Sequence, residues 1–216
     1  MNKKIIVLVA IGILVLAFLL GAYYIKSVQI GEISRLANEN NELFVRDYAV
    51  TMGSEDAKVT LVEFYDPACE ACKDFYPFVK NMLAQYPTQL KLVLRYAPFH
   101  QGSDYYVKIL EASRKQGMYW ETLEILYLSQ DYWASHHQAK PDLAWEVLKN
   151  TNLDLVQLRE DMNDPQIAEV LRQDLADLAA LNVQKTPGFY VNGKPLLDFG
   201  YLELKNLIES EIRANY

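Results

Sequence analysis

Cys69 and Cys72 are the only two thiols among 216 residues, and they stand three positions apart in "DPACEAC", directly after the apolar run "VTLVEFY" (59–65). The strand-like pattern stops at "DPA" and a helical one begins, so Cys69 falls at a predicted helix N-terminus, where unsatisfied N–H groups and the macrodipole favour an anion. A thiolate is favoured there. Cys72 lies one turn further on the same face, within disulfide reach after modest side-chain adjustment. Thiol–disulfide exchange needs such a pair: one sulfur attacks or is attacked, and the second clears the mixed disulfide. Other readings stay open on spacing alone. Half a zinc site would need two more ligands, and His100, His136 and His137 lack the usual spacing. A static disulfide enclosing two residues would add little stability. Chance spacing of two buried thiols is the third.

The elements that must position the pair follow from period. "VRDYAVTMG" (45–53), "KVTLVEFY" (58–65) and "QLKLVLRYA" (89–97) read as strands, rich in β-branched and aromatic residues. From Cys69 to about Gln85, Phe75, Phe78, Val79, Met82 and Leu83 recur at helical spacing, and Pro87 ends the run. A helical block fills Ser103 to about Leu181, with breaks expected near His136, His137 and Pro141, at 150–152 and at Asp164-Pro165. "GFYVNGKPLL" (188–197) is a hairpin turning at Asn192-Gly193. "FGYLELKNLIESEI" (199–212) closes as an amphipathic helix with Leu202, Leu207 and Ile212 among its apolar positions. Alternating elements around a small sheet predict an α/β layer structure with the helical block inserted between its halves.

Composition limits the classes of function. The chain is long enough for one domain with a full core beyond its first segment. Seven net negative charges and a pI near 5.0 give no electrostatic reason to bind nucleic acid, and that class is set aside.

The first segment is different. After Lys3 and Lys4, residues 5–25 carry no charge, and their helix spans about 30 Å, the thickness of a bilayer hydrocarbon core. No pair of small residues marks a cleavage site, so an uncleaved membrane anchor is expected over residues 1–27, followed by a helical stalk over 28–44. The basic start places that end in the cytoplasm and the rest outside, although Lys26 weakens the rule. Tyr23 and Tyr24 suit the interface.

"VTLVEFYDPACEACKDFYP" resembles the active-site strand and helix of thioredoxin-fold oxidoreductases, and "VQKTPGFYVNGKPL" (183–196) resembles their cis-proline loop and hairpin. The long helical block between the two motifs is similar to that of the DsbA-type family, a thioredoxin fold with a helical insertion. On that resemblance residues 45–216 form the thioredoxin-like domain, with the insertion at about 102–182.

The resemblance implies roles. Cys69 is the nucleophile and Cys72 the resolving thiol; Thr186 and Pro187 form the cis-Pro dipeptide that frees the preceding backbone to pair with an extended substrate. Glu63 matches a buried acid that relays a proton to or from Cys72; from pattern alone it reads equally as a solvated glutamate on a strand. Glu70 and Ala71 replace the Pro-His pair of strongly oxidising members. A glutamate beside Cys69 should raise the thiol pKa, which predicts a weaker oxidant, with the helix terminus opposing. His100 reads as a polar loop residue near the site, and His136 and His137 as surface residues.

The implied function is disulfide donation to cysteine-containing exported proteins, by an enzyme with no metal and no cofactor beyond its own disulfide. Reoxidation would come from a quinone-linked membrane oxidase of the DsbB type. The expected location is the inner membrane, single-pass, with the catalytic domain facing the periplasm or an equivalent space. Reverse electron flow, as a reductase or isomerase fed by a membrane reductant donor, is the alternative. A binding module with idle thiols is another.

Overall fold

The structure is a computed structural model that describes residues 3–39, 41–135 and 138–216. Helix α1 (Lys3–Glu39) runs without a break through the expected boundary between anchor and stalk. Gly31 is the weakest helix former in its second half, and one glycine costs only about 1 kcal/mol. A short 3-10 helix, Asn41–Leu43, follows.

β1 (Val50–Gly53) is shorter than the strand expected from Val45. Residues 45–49 turn instead: the Ala49 amide bonds the Arg46 carbonyl at 2.9 Å, and the Arg46 guanidinium reaches across to Asp177. β2 (Val59–Tyr65) and β3 (Leu90–Tyr96) follow, with α2 (Glu70–Gln85) between them. β6 (Gly188–Val191) and β7 (Lys194–Pro195) form the expected hairpin, with Asn192 and Gly193 at positive φ. The sheet order is β1-β3-β2-β6-β7; β2 lies parallel to β3 and antiparallel to β6. That pairing puts the end of β2 and the start of β6 at the same end of the sheet's strands, since Phe64 stands opposite Gly188.

Alternation along the central strand divides the core. Val59, Leu61 and Tyr65 pack with α2 and with α9 (Tyr201–Asn215), while Val62 and Phe64 pack with Phe44, Leu178 and Leu181 on the opposite face. In α9 the apolar residues of the buried stripe are Leu204, Ile208 and Ile212; of the apolar positions noted in the sequence, Ile212 is buried and Leu202 is exposed.

The helical block comprises α3 (Ser103–Lys115), α4 (Tyr119–Leu128), α5 (Gln130–Trp133), α6 (Pro141–Leu148), α7 (Leu155–Asp161) and α8 (Pro165–Ala180). Asp154 and Asp164 cap α7 and α8 by accepting amide hydrogen bonds, which explains the later breaks. An additional break falls at Gly117, whose φ of +72° ends α3. A second departure is a two-stranded pair within the block, β4 (Ala134–Ser135) and β5 (Gln138–Ala139). His136 and His137 lie outside the described residues.

Candidate active site

Antiparallel pairing of β2 and β6 brings the two sequence motifs together. The chain leaves β2 at Tyr65, turns through Asp66 to Ala68, and reaches Cys69, which caps α2 in an extended conformation. The Asp66 carboxylate shapes this turn. Its Oδ1 accepts from the Ala68 amide at 2.8 Å and from the Ser103 hydroxyl, and its Oδ2 accepts from the His100 amide at 2.8 Å. The His100 ring nitrogen Nδ1 lies 2.7 Å from the same Oδ2. From the insertion, Gln130 Nε2 donates to the carbonyls of Pro67 (2.9 Å) and Cys69 (3.1 Å). The loop before the cysteines is thus tied to β3's exit and to α5.

Cys69 is 7% exposed and Cys72 fully buried, and both thiols are free. Cys69 borders an open cleft of about 220 Å³ with Glu70, Ala71 and His100, roofed by Ala134 and Gln138 of the short strand pair. As a thiol Cys69 donates to the Thr186 carbonyl at 3.4 Å. As a thiolate it is stabilised first by the Cys72 thiol, then by the Thr186 side chain and the Cys72 and Ala71 amides; these outweigh partial burial and push its pKa down to about 6. The amides face the sulfur without closing a full capping bond, which still favours negative charge. The expected upward push from Glu70 does not prevail: that side chain is exposed, where solvent screens it. Burial, with the bond to Cys69 and the charge of Glu63 behind it, pushes Cys72 far up. The two sulfurs are one turn apart and opposite in acidity.

The Thr186-Pro187 bond is cis, with Pro187 buried and Thr186 half-buried beside Cys69. Glu63 stands between Leu94 and Phe189 in the middle of the sheet, on the face that carries Leu61 and Tyr65. It is 3% exposed, and burial, with the Cys69 charge second, pushes its pKa up to about 8. Of its two sequence readings the buried acid is the one seen, within electrostatic reach of Cys72.

His100, read from the sequence as a polar loop residue near the site, lines the cleft and meets Asp66 across 34 positions of sequence. Asp66, Gln130 and Tyr127 escaped sequence reasoning. Asp66-Pro67 is a turn dipeptide, a local signal that was there to be read. Gln130 is buried and marked by nothing local, and Tyr127, also buried, lies within electrostatic range of Cys72 and Glu63.

Comparison with known proteins places this geometry. The family model described as thioredoxin matches residues 46–210. A protein of Bacillus anthracis named probable disulfide bond formation protein D is 27% identical over 188 residues, covering 82% of this chain and 84% of its own. The crystal structure of oxidised BdbD from Bacillus subtilis superposes with a TM-score of 0.65 at 28% identity, over 76% of this chain and 92% of that one. The chain spans only about a fifth of the length of other curated relatives, such as a protein of Herminiimonas arsenicoxydans named Na(+)/H(+) antiporter NhaA, 28% identical over 144 residues, 67% of this chain and 22% of that one. A match over three quarters of the sequence, with the cysteine turn facing the cis-proline edge and a helical block between them, settles the family: the chain belongs to the thioredoxin family, with the insertion that characterises its DsbA-type thiol:disulfide oxidoreductases.

Proposed function

We propose that this chain donates disulfides to cysteines of exported proteins, using the Cys69-Cys72 pair as its own redox group. The cysteine turn facing the cis Thr186-Pro187 bond is the observation that carries the exchange reading, and the lowered Cys69 pKa supports its direction. A Cys69 thiolate stabilises the reduced form, so the oxidised form tends to give its disulfide away.

The steps balance without a further cofactor. A substrate thiolate attacks Cys69 Sγ, the Cys69-Cys72 bond breaks, and Cys72 leaves with the electron pair. With its sulfur sealed from solvent, Cys72 takes a proton, and Glu63, neutral at pH 7 with its pKa near 8, is the buried acid placed to supply it. A second substrate thiolate then attacks the substrate sulfur of the mixed disulfide, and Cys69 leaves as a thiolate. The substrate gains one disulfide and the protein becomes a dithiol. Thr186 contributes the docking edge, and a groove of about 780 Å³ lined by Ala71, Thr186, Pro187 and Leu196 among others has room for an extended segment.

Residues 1–27 act as a single-pass anchor in the cytoplasmic membrane, 28–44 as the stalk, and 45–216 as the catalytic domain on the outer side. Support comes from the one described helix long and apolar enough to cross a membrane, with its span at Val7–Val28. Reoxidation falls to a quinone-linked membrane oxidase of the DsbB type. Oxidative refolding of a reduced two-cysteine protein, with wild type and Cys69→Ser, tests the reading. The variant is expected to fall to the uncatalysed rate, and an undiminished rate removes the exchange site. Alkylation trapping in cells tests direction: a pair found reduced at steady state would reverse the flow.

A further inference from the structure

Outside α1, the large apolar side chains left exposed among the described residues are mostly isolated, except from just after β7 into the first turn of α9. Leu197 (47% exposed), Phe199 (58%), Tyr201 (47%) and Leu202 (63%) fall within six residues there. The patch has a rigid back: Phe199 packs on Phe75 at 4.8 Å between ring centroids, and Tyr201 stacks on the same ring at 4.3 Å. A contiguous apolar patch on a firm support marks an interaction surface.

Its position indicates the partner. Asp198, inside the patch, accepts a hydrogen bond from Lys26 Nζ at 2.9 Å, and α1 passes beside β7. Lys26 is the first charged residue after the uncharged run of residues 5–25, whose length of about 30 Å matches the bilayer core. In a membrane-anchored chain Lys26 therefore lies at headgroup level, beside Tyr23 and Tyr24. Asp198 is held at the same level, with Leu197 and Phe199 on either side of it.

We propose that residues 197–202 form a second membrane contact, with Leu197, Phe199 and Leu202 seated at the boundary of headgroups and acyl chains in the leaflet where α1 emerges. This inference rests on the anchor reading above. Lys26 and Asp198 neutralise one another, so the contact needs no anionic lipid. The lining of the groove past Pro187 includes Lys26 and Glu32 of α1, so one end of the groove lies at the bilayer surface. Its substrates are then cysteine segments presented at that surface, such as the outer loops of membrane proteins, in preference to chains free in solution.

Full chain carrying Leu202→Trp, or Leu197→Trp as a second probe, is reconstituted in phosphatidylcholine nanodiscs, and the emission of wild type, which holds Trp120, Trp133 and Trp145, is subtracted. The added emission is expected to fall about twofold with lipid brominated near the headgroup end of the acyl chain, and to resist iodide. Emission quenched by iodide and untouched by brominated lipid overturns the contact. Emission shielded from iodide only by an unfolded reduced polypeptide assigns the patch to polypeptide docking, which also overturns it. Wild type extracted from liposomes by alkaline carbonate defeats the anchor and this contact together, whereas a retained wild type with an iodide-quenched probe defeats the contact alone.

Discussion

On one face of the sheet Arg95 lies fully buried among acceptors, its Nη2 at 2.7 Å from Asp174 Oδ1 and 2.5 Å from Asp177 Oδ2, with the Leu43 carbonyl at 2.8 Å from Nη1. Tyr48 and the Tyr96 amide complete the coordination of Asp174, at 2.6 and 2.7 Å. On the opposite face Glu63 is almost equally buried, and among the described residues no cation pairs with it. Two residues of adjacent strands bury a titratable group, one with its charge neutralised and one without. The neutralised group fixes α8 and the chain before β1 to the sheet; the other holds a proton near neutrality within electrostatic range of Cys72, which suits the role proposed for it. Compensation separates structural charge from working charge here.

The largest expected effect breaks the neutralised side. Arg95→Met leaves Asp174 buried without its cation and should cost about 3 to 5 kcal/mol, read from the denaturant midpoint. A loss under about 1 kcal/mol would mean the cluster is not compensated as described.

Glu63→Gln should act in the opposite sense. A folded pKa near 8, against an unfolded value of about 4.3, means that stability present below about pH 4 is lost as pH rises through 8. The variant has no such loss, so it should gain about 2 to 4 kcal/mol at pH 9 and almost nothing at pH 4, and the oxidised protein, in which Cys69 carries no charge, should keep the part of that gain due to burial. Equal stability of the two at both pH values would show that the carboxyl is solvated.

The smallest effect concerns Cys69. Its pKa is lowered, so the thiolate stabilises the reduced fold above the ordinary thiol range and that stabilisation is lost as pH falls through about 6. Thr186→Val removes one donor and should raise the midpoint of thiolate absorbance by about half a unit to one unit. Cys72 and the amides keep it below an ordinary thiol. No movement would assign the lowering to Cys72 and the helix end alone.

Local patterning explains what the sequence revealed. β2, α2 and the final hairpin carry their periods and breakers within a dozen residues, so their order was legible, while the meeting of Cys69 and Pro187 was implied only by the family resemblance. Residues joined only by the fold were not. Gln130 touches the turn before Cys69 from 61 to 63 positions away, and on the sequence it is one more polar residue in a helical run. β4 and β5 have two residues each, too few for an alternation to register. The inward stripe of α9 was not legible because residues 202, 204, 207, 208 and 212 are all apolar, and only packing against the sheet decides among them.

The complete burial of Cys72 bears on timing. Dissolved thiols reach one sulfur of the pair, so a mixed disulfide can form only at Cys69, and when Cys72 does act the event is unimolecular. Its rate is independent of how much glutathione or substrate surrounds the protein. The return attack of Cys72 therefore sets the longest time a captured partner can be held, the same in a crowded compartment as in a dilute one, and a second substrate thiolate or a dissolved thiol can only shorten it.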